Sequence, residues 1–147
     1  MSIRCKQLKV ESIFKPKSME EVIQDILLQA KAIKNEDGSY DVEGNVDLSG
    51  LGLTKLPIKF RYVSEGFYCC TNKLTSLEGA PQIVDGDFLC HNNNLTSLEG
   101  APKEVSENFL CSSNNLTSLK GIGEVKGKIH CFSNPVSEKE LLKTIGR

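Results

Sequence analysis

The chain contains no tryptophan, and with only three tyrosines and six phenylalanines in 147 residues any core has to be built mainly from aliphatic side chains. It carries no excess of either charge: 18 Lys and Arg are scattered among 19 Asp and Glu, for a net charge of −1. That balance excludes the basic stripe on which sequence-independent nucleic-acid binding depends, so no nucleic acid is expected as a partner. Long apolar runs are missing as well. Arg4, Cys5 and Lys6 are followed by no apolar stretch, so neither a signal peptide nor a membrane span is expected, no membrane partner is implied, and the expected compartment is cytoplasmic. There is no GxSxG, HExxH, Walker sequence or pair of CxxC motifs, which leaves catalysis little foothold and implies no cofactor.

What the chain does have is repetition. LTSLEGAPQIVDGDFLCHNNN, LTSLEGAPKEVSENFLCSSNN and LTSLKGIGEVKGKIHCFSNP follow one another from Leu74. Alignment places Phe67, Phe88, Phe109 and Ile129 in one column and Cys69, Cys90, Cys111 and Cys131 in another. Asn72, Asn93, Asn114 and Asn134 form a third, followed by Leu74, Leu95, Leu116 and Val136, then by Leu77, Leu98 and Leu119. The step is 21 residues, with one residue missing before Ile129. A fixed period of this size is the mark of a solenoid.

The unit F-x-C-x-x-N-x-L-x-x-L explains itself. Phe, a variable residue and Cys alternate with the period of a short strand that buries one face. The Asn amide can bond backbone groups where the chain turns out of the ladder. Leu74 and Leu77 point back into the same core, Gly79 and Pro81 bend the return, and Val84 packs the outer wall. One unit cannot bury this face alone; stacked units gain about 1.5–3 kcal/mol for each large apolar side chain they cover. Strands are therefore expected near Val46–Leu48, Phe67–Cys69, Phe88–Cys90, Phe109–Cys111 and Ile129–Cys131, as one curved parallel sheet.

Of the six cysteines, four occupy that single inward column, where they read as small reduced core hydrophobes. Stacked thiols could bind soft metal, but a straight column does not converge on one point, so no metal site is expected. The sequons at Asn94 and Asn115 carry no meaning in a cytosolic protein.

The flanks complete the organisation. Residues 1–17 read as a flexible arm. Residues 18–45 read as an N-terminal cap: Ser18-x-x-Glu21 is a capping box, and Val22, Ile23, Ile26, Leu27, Ala30 and Ile33 form the stripe of a helix from Met19 to Lys34. A hairpin follows, with Tyr40 and Val42 alternating before Glu43-Gly44-Asn45, and Val46 and Leu48 after it. Residues 46–136 form the solenoid, whose first unit aligns Val46, Leu48, Leu53 and Leu56 on Phe67, Cys69, Leu74 and Leu77 and puts Leu51 in the Asn column. Ser137-x-x-Glu140 opens a C-terminal capping helix over 137–147, with Val136, Leu141, Leu142 and Ile145 on its apolar side.

The pattern resembles the leucine-rich repeat family, L-x-x-L-x-L-x-x-N-x-L with one parallel strand per repeat. The short repeat and its LTSL phrase are similar to the class found in bacterial virulence effectors, although those carry LP-x-LP where this chain has LEGAP. More similar still are small repeat proteins of large tailed phages, which share the DVEGNVDLS entry, GLTKLPIKF and the NNLTSLEGAP units. The resemblance covers about Tyr40 to Val136 and implies a right-handed solenoid with a parallel sheet on its concave face. It also implies a host protein as partner, one that the chain blocks or modifies, an antiviral defence protein included. The N-terminal VESIFKPKS resembles openings of other large-phage proteins, which points alternatively to a virion-packaged role.

Candidate functional residues stand at the outward strand positions. Tyr68, Leu89, Leu110 and His130 form one column; Cys70, His91, Ser112 and Phe132 form the other, with Asp47 and Ser49 at the N-terminal end. Solvent-facing strand positions usually take polar side chains, so an apolar line rimmed by His and Ser has the composition of an interface. Tyr68, Leu89, His91, Leu110, His130 and Phe132 are the expected partner contacts, and a second copy of the chain is the competing occupant. Cys70 beside His91 could begin a nucleophilic pair, giving an enzyme or small-ligand binder as the alternative reading. No orienting acid accompanies them in the column, where Ser112 comes next.

Overall fold

A computed structural model describes residues 16–145 of the chain. The expected arm, except for Pro16 and Lys17, lies outside the described residues, as do Cys5 and the last two positions. The chain is a β-solenoid in which each turn contributes a short strand to each of two sheets. The first sheet contains β3 (Val46–Asp47), β5 (Phe67–Tyr68), β7 (Phe88–Leu89), β9 (Phe109–Leu110) and β11 (Ile129–His130), all parallel. Its register pairs Val46 with Phe67, Phe67 with Phe88, Phe88 with Phe109 and Phe109 with Ile129, the column that the repeat alignment gives.

The second sheet was not expected. It runs β1 (Ile33–Lys34), β2 (Tyr40–Val42), β4 (Phe60–Val63), β6 (Ile83–Val84), β8 (Glu104–Val105) and β10 (Glu124–Val125), parallel except between β1 and β2. Its basis is a valine column: Val42, Val63, Val84 and Val105 are at most 1% exposed, whereas Glu104 and Glu124 beside them face water. Two residues with one side in and one side out suffice for a strand when a neighbour lies on each flank.

That sheet also corrects the expected hairpin. Tyr40–Val42 and Val46–Asp47 belong to different sheets, and Glu43-Gly44-Asn45 is the corner between them. Gly44 takes φ 118° there, and its N–H donates to Ser64 Oγ at 2.8 Å. The antiparallel pair is instead β1 with β2, closed by Asn35–Ser39, where Asp37 Oδ1 accepts the Ser39 N–H at 2.9 Å. This pairing shortens the helix too. Helix α1 spans Met19–Gln29 rather than reaching Lys34, because Lys31 turns at φ 51° and delivers Ile33 and Lys34 to β1. Ser18 caps it as expected, accepting the Glu21 N–H at 3.2 Å. Ile23, Leu27 and Ala30 join the core, whereas Ile33 is 63% exposed.

Inside the coil the side chains stack by column. Phe67 and Phe88 lie 5.6 Å apart and nearly parallel, Phe88 and Phe109 5.1 Å apart, and Phe60 meets Phe67 edge-on at 5.1 Å. The asparagine column forms a ladder. Asn93 Nδ2 donates to the carbonyls of Cys69 (3.0 Å), Cys90 (3.1 Å) and His91 (3.3 Å), and its Oδ1 accepts the Leu74 N–H at 3.0 Å. Asn114 and Asn134 repeat this one and two turns on, and Asn72 accepts from both Leu51 and Leu53. Each asparagine thus ties its own strand end to the preceding turn, satisfying backbone groups that no sheet reaches.

Beyond Ser137, whose Oγ accepts the Glu140 N–H at 3.2 Å, helix α2 spans Glu138–Ile145. The last turn is less enclosed than the others. Cys131, expected inside with its column, is only half-buried, as are Ile122, Val125 and Ile129.

Candidate functional site

The first sheet aims its odd and even positions oppositely, so Phe67, Phe88 and Phe109 fill the core while the residues after them face out. Register places Tyr68 beside Leu89, Leu89 beside Leu110 and Leu110 beside His130. All four are half-buried rather than fully exposed. Cys70, His91 and Ser112 are also half-buried, and Phe132 stands 70% exposed. The structure therefore brings all six expected partner contacts onto one face. Adjacent strands about 4.8 Å apart make Tyr68, Leu89 and Leu110 a continuous apolar line.

Tyr68 closes one end of that line. Its hydroxyl donates to Asn45 Oδ1 at 3.2 Å, and its ring lies over Gly66. Burial raises the pKa of its phenol above the usual value, and the charges of Asp87, Asp47, Glu107 and Glu65 add to the shift. The same four carboxylates form an acidic border near the apolar line. At the other end the rings of His130 and Phe132 lie 5.8 Å apart.

Cys70 and His91 stand in the same column on successive turns, in a ladder where the Thr71 N–H donates to the His91 carbonyl at 3.0 Å. The Cys70 Sγ lies 3.1 Å from Ser49 Oγ on the preceding turn. His91 Nδ1 is buried with no hydrogen-bond partner among the described residues, and burial lowers the pKa of the imidazole. A histidine held neutral in this way has no carboxylate on its buried nitrogen to orient it or stabilise an imidazolium. Among the described residues, no group of three or more His, Cys, Asp and Glu side chains is placed to hold a metal ion. No described helix is long and apolar enough to cross a membrane.

Of the carboxylates around Tyr68, only Asp47 is legible in the outward columns of the sequence; Glu65, Asp87 and Glu107 are not, nor is a second side-chain ladder at the corner. There Asn45 Oδ1 accepts the Gly66 N–H, Asp87 Oδ1 the Asn108 N–H and Asn108 Oδ1 the Lys128 N–H, each at 2.8 Å. The signal of this ladder is the column one residue before Val46, Phe88 and Phe109, which holds Asn45, Asp87 and Asn108.

The fold and its faces define a repeat protein of the parallel β-solenoid class. No family model matches the chain, and no curated protein or solved structure shows significant similarity to it.

Proposed function

We propose that the chain is a non-enzymatic protein-binding module of leucine-rich-repeat type, working in the cytoplasm through the outward face of its first sheet. The observation that carries this reading is the unbroken line Tyr68, Leu89, Leu110, half-buried and solvent-facing across successive strands. Rigid side chains on a closed backbone ladder lose little entropy on binding, and Tyr and Phe are the residue types that anchor interfaces. The carboxylates of Asp47, Glu65, Asp87 and Glu107 around Tyr68 favour a partner whose apolar patch has a basic border. The resemblance to phage repeat proteins makes that partner a host protein, which binding would block.

Affinity capture from host lysate, read by mass spectrometry, tests this with wild type and Cys70→Ala side by side. The same protein captured by both supports a binding module that does not depend on the Cys70 thiol. Loss of biological effect in a folded Cys70→Ala that still captures its partner would revive a thiol-based activity.

A further inference from the structure

The two ends of the coil are closed to different degrees. At the first turn Val42, Val46 and Leu48 are at most 1% exposed, with α1 packed against β3. At the last turn Ile122, Val125 and Ile129 are half-buried and line a groove of about 870 Å³, beside Phe132 at 70% exposure.

Strand β10 at this end is an unpaired edge with a defined polarity. In each earlier turn the valine carbonyl accepts from the turn above: Asp85 N–H to Val63 at 3.0 Å, Ser106 N–H to Val84 at 2.9 Å, Lys126 N–H to Val105 at 2.9 Å. No described residue donates to the Val125 carbonyl. The N–H groups of Glu124 and Lys126 point back into the coil, at 2.8 Å from Lys103 O and 2.9 Å from Val105 O. By the alternation of a strand, the N–H and C=O of Val125 both face the open edge.

We propose that this edge pairs with the same edge of a second copy of the chain, across a two-fold axis at Val125. An antiparallel pair centred on one residue exchanges both of its backbone bonds, N–H of each Val125 to C=O of the other. In that register Glu124 of each copy lies opposite Lys126 of the other, on the solvent side where both side chains are exposed. The strand is thus charge-complementary to itself when reversed about Val125, and the half-buried Ile122 and Val125 gain cover. A two-fold pairing uses the β10 edge of each copy once, so association stops at a dimer and forms no fibre.

Sedimentation equilibrium of the full chain across the micromolar range tests the pairing. The expected result is a reversible monomer–dimer equilibrium. Glu124→Lys or Lys126→Glu alone places like charges opposite one another twice and weakens the dimer about tenfold. The double exchange Glu124→Lys with Lys126→Glu restores it, and Leu89→Asp with Leu110→Asp on the sheet face leaves it unchanged. A wild type that stays monomeric, grows beyond a dimer, or ignores the single reversals would overturn the proposal, as would a double exchange as weak as either single.

Discussion

The ring of Tyr68 occupies the space that a Cβ at Gly66 would fill, so this glycine lets the tyrosine lie down along the corner of the coil and reach Asn45. Gly66→Ala displaces the ring and breaks that hydrogen bond. The cost in stability is about 0.5–1.5 kcal/mol in urea unfolding, the worth of one partly exposed hydrogen bond. Near-ultraviolet circular dichroism should lose a tyrosine contribution while the far-ultraviolet spectrum stays the same, and partner affinity should fall because one end of the apolar line has moved.

The asparagine ladder predicts a gradient along the coil. Asn93→Ala strands the Leu74 N–H in the core, leaves the Cys69 and Cys90 carbonyls with only Asn72 and Asn114 as amide donors, and costs about 1–3 kcal/mol. Asn134→Ala makes the same deletions at the half-exposed last turn, where water replaces the lost partners, and costs about half as much. Chemical denaturation of the two variants gives the comparison directly; equal losses would contradict a ladder role.

The thiol column predicts an alkaline weakness. Burial raises the pKa of the Cys69, Cys90 and Cys131 thiols above the usual value, and that of Cys111 is pushed up to about 12. In each case the folded state holds its proton where the unfolded chain has released it. The stability this lends is complete below the ordinary thiol value of 9.0 and is lost as pH climbs from there towards the folded values. Each fully buried thiol adds about 1.4 kcal/mol per pH unit to the downward slope in that window. Cys90→Ala should therefore flatten the fall in stability between neutral and alkaline buffer even though it lowers stability at pH 7. On native protein, thiol reagents should modify the half-exposed Cys70 well before Cys69, Cys90 or Cys111.

The first sheet was legible because identical residues recur at identical offsets, so Phe67, Phe88 and Phe109 fix register without any knowledge of the rest of the turn. The second sheet was not. Its strands are two residues long, and a pair such as Glu104–Val105 has no periodicity of its own to read. Only the vertical repetition of Val42, Val63, Val84 and Val105 carries the signal, and one valine per turn marks a wall without marking a strand. The same blindness produces the misplaced hairpin: Tyr40, Val42, Val46 and Leu48 alternate as a hairpin does, but Glu43-Gly44-Asn45 stands where a later turn has Asp85-Gly86-Asp87, a corner. The helix was overextended because Ile33 fits the apolar stripe by spacing, while its pairing with Asp41 is a long-range fact. The outward direction of the strand positions Tyr68, Leu89 and Leu110 follows from the pleat. Their degree of exposure, and the carboxylates around Tyr68, depend on how neighbouring turns shield one another.

The claim that the outward face of the first sheet is the interface is tested most directly by Leu89→Asp combined with Leu110→Asp, measured in partner binding and in thermal unfolding together. Both side chains point away from the core, so the account predicts loss of partner binding with a melting temperature close to that of wild type. Undiminished binding by the folded double variant would contradict it.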